Sequence, residues 1–234
     1  YWDKRQLVKK INLNSLYGAI LNPGCRFFDK RIGQSTTLTG RTIVKHMSAE
    51  VNKTITGEYN HVGEAMIYGD TDSCYFSAWP ILKDDVNNGK LEWSKEKCII
   101  LMDQVCEQAN TTFPKFMAEA FHCPKTRSDV IAAGREIVAQ SGLYITKKRY
   151  AALVIDNEGF RTDDDGVGKV KAMGLDLRRS DTPVFMQEFL SEILLMVLTD
   201  ATEKEVLERI TQFRKDFQQM PGWEKGSPKR ANKI

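Results

Sequence analysis

Two short β-prone runs, residues 65–68 and 73–77, flank Gly69-Asp70-Thr71-Asp72. β-prone runs separated by a few Gly and Asp residues read as a hairpin. This one carries two carboxylates, Asp70 and Asp72, at its tip. Few folds place paired acids on a tight, rigid connection, so this segment constrains the chain more than any other. Paired carboxylates offer hard oxygen ligands to Mg²⁺, which prefers octahedral oxygen coordination and shares its shell with phosphates. Two-metal phosphoryl transfer needs carboxylates that can serve ions about 3.5–4 Å apart. A bare pair of Asp residues in a turn is more often only a polar turn. The strand-like flanks are what make the segment more than that.

The rest of the chain reads as a mixture of helices and strands. Residues 2–20 suit a helix, with Val8, Ile11, Ser15 and Ala19 forming a small apolar face. At 100° per residue, Lys10, Asn14 and Tyr17 fall within about 60° of each other on roughly the opposite face. Pro23-Gly24 ends this helix. A second is expected over 36–55, with Ile43, Met47, Val51 and Ile55 on one stripe and Gly57 as its stop. A third runs over 94–120, bent or interrupted at Pro114. Residues 130–138, 143–146, 149–155 and 169–173 read as strands, and Asp156-Asn157-Glu158-Gly159 as a turn. Asp163-Asp164-Asp165-Gly166 reads as an exposed turn, because its contiguous acids lack the alternation of a calcium loop. From Thr182, a cap followed by Pro183, the chain turns helical. Thr202-x-x-Glu205 then forms a capping box ahead of Val206, Ile210, Phe213 and Phe217. The natural boundary falls near residues 180–183.

Composition narrows the class. The 234 residues are 41% hydrophobic, with 16 Gly and 7 Pro, which excludes collagen-like and disordered chains. The longest strongly apolar run, Ile193 to Leu198, has six residues, against the roughly 20 that span a bilayer. The first residue is Tyr1 and no signal-peptide pattern follows it. Five cysteines without a C-x-x-C pair argue against a disulfide framework or zinc ribbon and suit a reducing compartment. His46, His61 and His122 form no metal motif. The triplets beginning at Asn52 and Asn110 are glycosylation acceptors only in a secreted chain. The net charge of +3 hides an uneven distribution. Residues 1–60 hold ten Lys or Arg against four acids, and Lys225, Lys229, Arg230 and Lys233 lie near the end. Such ends suit a polyanionic partner, or simply a solvated surface.

Three motifs in order resemble those of family B DNA polymerases. Tyr68-Gly69-Asp70-Thr71-Asp72-Ser73 resembles the third polymerase motif. Lys10-Ile11-Asn12-Leu13-Asn14-Ser15-Leu16-Tyr17-Gly18 resembles the K-x-x-x-N-S-x-Y-G motif of the last fingers helix. Lys147-Lys148-Arg149-Tyr150 resembles the K-K-R-Y primer-duplex motif. Arg26-Phe27-Phe28-Asp29, Thr39-Gly40-Arg41, Gly174-Leu175-Asp176 and Ser180-Asp181-Thr182-Pro183 also look familial. The likeness is greatest to replicative polymerases of tailed bacteriophages and covers nearly the whole chain.

The resemblance implies an α+β fold, a palm with an antiparallel sheet backed by helices. Residues 1–21 would be the end of the second fingers helix, 22–181 the palm and 182–234 the start of the thumb. It implies template-directed transfer of deoxynucleotides to a primer 3′-OH. Asp72 and Asp70 would be catalytic and metal-binding, on two Mg²⁺ ions. Lys10 would neutralise triphosphate charge and protonate pyrophosphate, with Asn14, Tyr17 and Gly18 completing the nucleotide site. Lys147, Lys148, Arg149 and Tyr150 would contact primer duplex. Strand alternation would put Lys148 and Tyr150 on one face, the one nearer DNA, and the palm sheet that the resemblance implies would bring Asp72 and Lys148 to one face. Lys229 and Arg230 would meet duplex phosphates.

The implied partners are primer-template DNA, dNTPs, the remainder of the polymerase, in cis or as a second chain, and a sliding clamp. No membrane is implied, and the setting would be the cytoplasm of a bacterial host. The family's earlier carboxylate motif, D-x-x-S-L-Y-P-S, is absent from this sequence. That absence implies a chain inactive by itself. A non-catalytic primer-template binding module, or a subunit of a split polymerase, is the alternative.

Overall fold

The computed structural model describes residues 1–163 and 166–227. Two compact units divide the chain, residues 1–81 and 82–234.

The first unit opens with α1 (Trp2–Leu21), closed by Asn22-Pro23-Gly24. α1 buries none of its residues. The expected apolar face is corrected accordingly: Val8 and Ile11 remain exposed, and the Ser15 hydroxyl turns back to donate to the Ile11 carbonyl. Only the C-terminal end of α1 is gripped. Asp29 N–H donates to the Ile20 carbonyl, and Leu21 lies where a Cβ on Gly33 would stand, 2.0 Å from its Cδ2.

α2 (Lys30–Thr56) starts six residues before the expected Thr36. Asp29 is the reason: its Oδ1 accepts from Arg31 N at 2.8 Å and Ile32 N at 3.4 Å, satisfying orphan amides of the first turn. The Arg31 guanidinium on that carboxylate holds it below the usual Asp range. Gly57 closes α2 in the left-handed region, φ 84°, as expected. Val51 of the expected stripe is buried, and polar His46, Ser48 and Asn52 are buried beside it. Burying polar groups is tolerable because they are hydrogen-bonded. His46 Nδ1 shares a 2.9 Å bond with the Tyr59 hydroxyl, and Asn52 bonds into the following loop. β1 (Met66–Asp70) and β2 (Ser73–Phe76) then pair antiparallel as a two-stranded sheet.

α3 (Trp79–Asn87), a helix not expected from the sequence, spans the division at residues 81–82. The helix expected over 94–120 is α4 (Lys95–Phe121), capped by Ser94, whose side chain accepts from Lys97 N. The helix runs through Pro114 without interruption.

β3 (Ile137–Thr146), β4 (Arg149–Asn157), β5 (Phe160–Arg161) and β6 (Lys169–Met173) form an antiparallel sheet. β4 is central, with β3 along one edge and β6 and β5 on the other. The segment expected as a strand from 130 is not one before Ile137. It is held from a distance instead: Asn110 on α4 accepts from Ala133 N at 2.7 Å and donates to Ala133 O at 2.9 Å. Arg135 bridges Asp103 of α4 and the buried Asp156 of β4.

Every residue of β4 from Tyr150 to Asp156 is buried. A run apolar on both faces, with no alternation, is what a strand covered on both sides requires. Leu153 and Ala151 pack with Ala172, Leu175, Leu177 and Leu198, and with Leu190, Leu194 and Leu195 of α5 (Val184–Leu198). α5 starts one residue later than expected. Pro183 is its cap residue, and Thr182 Oγ1 donates to the Asp176 carbonyl rather than capping. α6 (Glu203–Gln219) has the expected capping box, with Thr202 and Glu205 bonded reciprocally. It joins α5 through stacked rings, Phe189 and Phe213 having centroids 3.7 Å apart.

Asp163 corrects the exposed-turn reading of residues 163–166. Its carboxylate is buried, with Arg161 Nε and Nη2 both at 2.8 Å and Lys95 Nζ at 3.0 Å. Asp164 and Asp165 lie outside the described residues.

Two outcomes follow for stability. Leu153→Ala, at a position with no exposed surface, is expected to cost about 3 kcal/mol, read by urea unfolding monitored on second-unit tryptophan or amide signals. The Arg161 and Lys95 bonds hold the Asp163 carboxyl well below its ordinary range. The stability it contributes is therefore complete above the unfolded-state value, about pH 4, and is lost as pH falls below that. Melting temperatures measured from pH 5 to pH 2 should fall less steeply for Asp163→Asn than for the unaltered chain.

Candidate active site

In the hairpin, Gly69 pairs with Cys74 and Asp70 with Ser73, leaving Thr71-Asp72 as the connection. The tip is therefore narrower than the sequence suggested: Asp70 ends β1 and only Asp72 is in the turn. The Asp70 Oδ1 accepts from Thr71 N at 2.9 Å and Thr71 Oγ1 at 3.2 Å. These bonds fold one carboxylate back onto the residue that follows it. Asp72 is exposed and Asp70 half-buried. Behind the tip, Tyr68 and Tyr75 lie across the two strands with ring centroids 5.7 Å apart.

Among the described residues, no three His, Cys, Asp or Glu side chains gather as a metal cage. The donor set is thus two hard carboxylates on a fixed turn, one facing water. It suits Mg²⁺, which keeps several waters and binds one or two carboxylates plus substrate phosphates. It does not suit a cation that demands a full protein cage.

α1 is unbroken from Trp2 to Leu21, so Lys10, Asn14 and Tyr17 share one helical face as the spacing implied. All three are exposed, and Gly18 follows one residue on with nothing within 4 Å of where its Cβ would be. Nothing among the described residues requires glycine at that position. α2 touches both α1 and β2, and is the element common to the two motifs of this unit.

The basic motif is corrected in its local structure. Lys147 and Lys148 form the turn between β3 and β4, and only Arg149 and Tyr150 lie on the strand. Lys148 sits in the left-handed region, φ 64°, so strand alternation does not put it on one face with Tyr150, and β1 and β2 form a sheet separate from β3–β6, so Asp72 shares no sheet with it. Lys147, Lys148 and Arg149 are exposed, whereas Tyr150 is only 8% exposed. Its ring stacks on Tyr144 at 5.6 Å and 19°. Burial pushes the Tyr144 hydroxyl up to about 12. Tyr150 thus anchors the turn from below, and the three cations are the surface it presents.

Sequence reasoning did not single out Gly174 within Gly174-Leu175-Asp176. Its φ is 63°, and a Cβ there would fall 2.1 Å from the Lys148 carbonyl oxygen. Glycine lets the end of β6 close against the basic turn. The signal was its place right after a predicted strand. Lys229 and Arg230 lie outside the described residues. Among the described residues, no helix is long and apolar enough to cross a membrane.

Comparison with known proteins places these motifs in a common frame. The family model for DNA polymerase family B matches residues 1–81 and 124–221. Those segments contain α1 with Lys10 to Gly18, the acidic hairpin and the basic turn. A DNA-directed DNA polymerase of Escherichia phage RB69 is 30% identical over 204 residues, covering 83% of this chain and 22% of the relative. That of Enterobacteria phage T4 is 27% identical over 249 residues, covering 99% and 26%. A DNA polymerase alpha catalytic subunit of Arabidopsis thaliana is 26% identical over 212 residues, covering 90% and 11%. The chain spans about a quarter of the length of the two phage relatives. On a family match covering most of its residues, in an α+β fold that keeps the three motifs in order, the chain belongs to DNA polymerase family B.

Proposed function

We propose that this chain is the part of a family B DNA polymerase that carries the acidic hairpin, the nucleotide-facing helix and the primer-duplex turn. In this reading, the whole enzyme transfers deoxynucleotides from dNTPs to a primer 3′-OH under template direction. The observation that carries it is the Asp70–Asp72 hairpin, with Asp72 exposed at its turn.

Asp72, exposed at the turn, is assigned as the main ligand of divalent metal, and Asp70 as its companion. Divalent ions held by Asp72 and Asp70 would supply charge to activate the primer hydroxyl and to neutralise the leaving pyrophosphate. Two carboxylates are too few for a pair of ions, so a further acid from a segment with the D-x-x-S-L-Y-P-S pattern completes the set. Lys10 offers an ammonium to the triphosphate and a proton to the departing oxygen. Tyr17, one face-step from Asn14, supplies a flat ring beneath the nascent base pair, and Gly18 leaves room for close approach. Lys147, Lys148 and Arg149 grip duplex phosphates by charge, while Tyr150 fixes the turn that displays them. A sliding clamp and the rest of the polymerase are the chain's partners, in the cytoplasm of a bacterial host.

The expected outcome for the isolated chain is DNA binding without synthesis. Fluorescence anisotropy with a labelled primer-template should show affinity that falls with salt. Lys147→Ala with Lys148→Ala should weaken it and flatten the salt slope by roughly one to two phosphate contacts. In a gel assay with dNTPs and Mg²⁺, the same chain should not lengthen the primer. Robust extension would contradict the assignment of a missing carboxylate, and salt-independent binding would contradict the basic turn as a phosphate grip.

A further inference from the structure

Asn52 heads one of the two N-x-T triplets, but it lies on α2 with no exposed surface, which removes it as an acceptor in the folded chain. Both ends of its amide are occupied. Nδ2 donates to the Glu58 carbonyl at 2.8 Å and to Thr56 Oγ1 at 3.0 Å, while Oδ1 accepts from Ala65 N at 3.1 Å. A carbonyl on one side and an N–H on the other leave a single orientation for the amide. Gly63 comes against the same group: a Cβ there would fall 2.1 Å from Asn52 Nδ2.

Ala65, itself buried, is the residue before β1, and its carbonyl accepts from Ser77 N at 2.8 Å. That bond closes the root of the hairpin beyond the last strand pair. One helical side chain therefore ties α2 to the point from which both strands leave. A five-residue strand extends about 16 Å from root to tip, so a 10° swing at the root moves the tip by about 3 Å.

We infer that Asn52 is a positioning residue for Asp70 and Asp72, setting where the hairpin holds its carboxylates relative to α2. This rests on the reading of those carboxylates as metal ligands. A buried amide that merely filled space would affect stability and leave the tip where it is. Partners bonded directly to metal ligands typically change metal affinity by 10–100-fold when removed, and for Asn52, acting through the strand, the low end of that range is expected.

The test uses the whole chain, ¹⁵N-labelled, with Mn²⁺ as a paramagnetic probe. In the unaltered chain Mn²⁺ should broaden the amides of residues 70–73, and Asp72→Ala should abolish this. Asn52→Ala should shift the Thr71 and Asp72 amides while second-unit resonances stay in place. It should also raise the Mn²⁺ concentration needed for broadening roughly 10-fold. Gly63→Ala, which displaces the amide while leaving Asn52 present, should give the same pattern and decides the matter if Asn52→Ala does not fold. Lowered melting temperatures with unmoved tip amides and an unchanged Mn²⁺ titration would overturn the inference. If the unaltered chain shows no broadening at residues 70–73, the metal-ligand reading falls by itself. The tip shifts of the two variants then decide positioning alone: displaced amides support it, and unmoved amides overturn it.

Discussion

Burying Tyr150 to Asp156 takes both faces of β4 out of water at once, so each backbone N–H and C=O there must find a partner in a neighbouring strand. β3 supplies one edge, and β6 with β5 the other. The rest of the larger unit follows from that demand. Apolar side chains below the strand need α5, whose Leu190, Leu194 and Leu198 join Leu153. The buried acid of β4, Asp156, needs a cation, and Arg135 provides it while tying α4 to the sheet. The tight link from β3 into β4 can only be a turn, and its residues are Lys147 and Lys148. A fold obligation thus produces an exposed basic corner, anchored by the Tyr144–Tyr150 stack.

The smaller unit obeys a different constraint. Its two strands cannot form a core by themselves, since an isolated hairpin is marginal in water. α2 supplies the support, and it does so partly through polar side chains: Asn52 bonds to the loop on both sides, and His46 meets Tyr59. Directional bonds fix an angle better than apolar contact does, which matters if the hairpin tip has to hold metal. α1 is the contrasting case. It is a full helix whose apolar and basic residues from Trp2 to Tyr17 alike stay exposed.

What was legible in the sequence was what local chemistry decides. The hairpin, α1, the Gly57 stop and the Thr202–Glu205 box each need only residues a few positions apart. Misreadings arose where distant partners decide the outcome. The segment before Ile137 looks strand-like, but Asn110 and Arg135 hold it as a loop. Asp163 looks like an exposed turn acid, but Lys95, 68 positions earlier, reaches it. Lys148 looks like a strand residue, but the link into β4 bends there with positive φ, a conformation that lysine does not advertise. The start of α2 was missed because residues 30–35 show little apolar periodicity, although Asp29 was available as a cap. For the candidate site, the residue types were legible from their motifs. The support behind them was not, since Asn52 and Gly174 show their purpose only through contacts made after folding.

The central claim is that the acidic hairpin belongs to a polymerase centre completed by other segments. The most direct measurement grafts this chain into the phage RB69 polymerase in place of the quarter it matches and follows Mg²⁺-dependent primer extension. The account predicts extension by the chimera and its loss on Asp72→Ala, by three orders of magnitude or more on the roughly 4 kcal/mol scale of a lost transition-state contact. Extension that survives Asp72→Ala undiminished would contradict it.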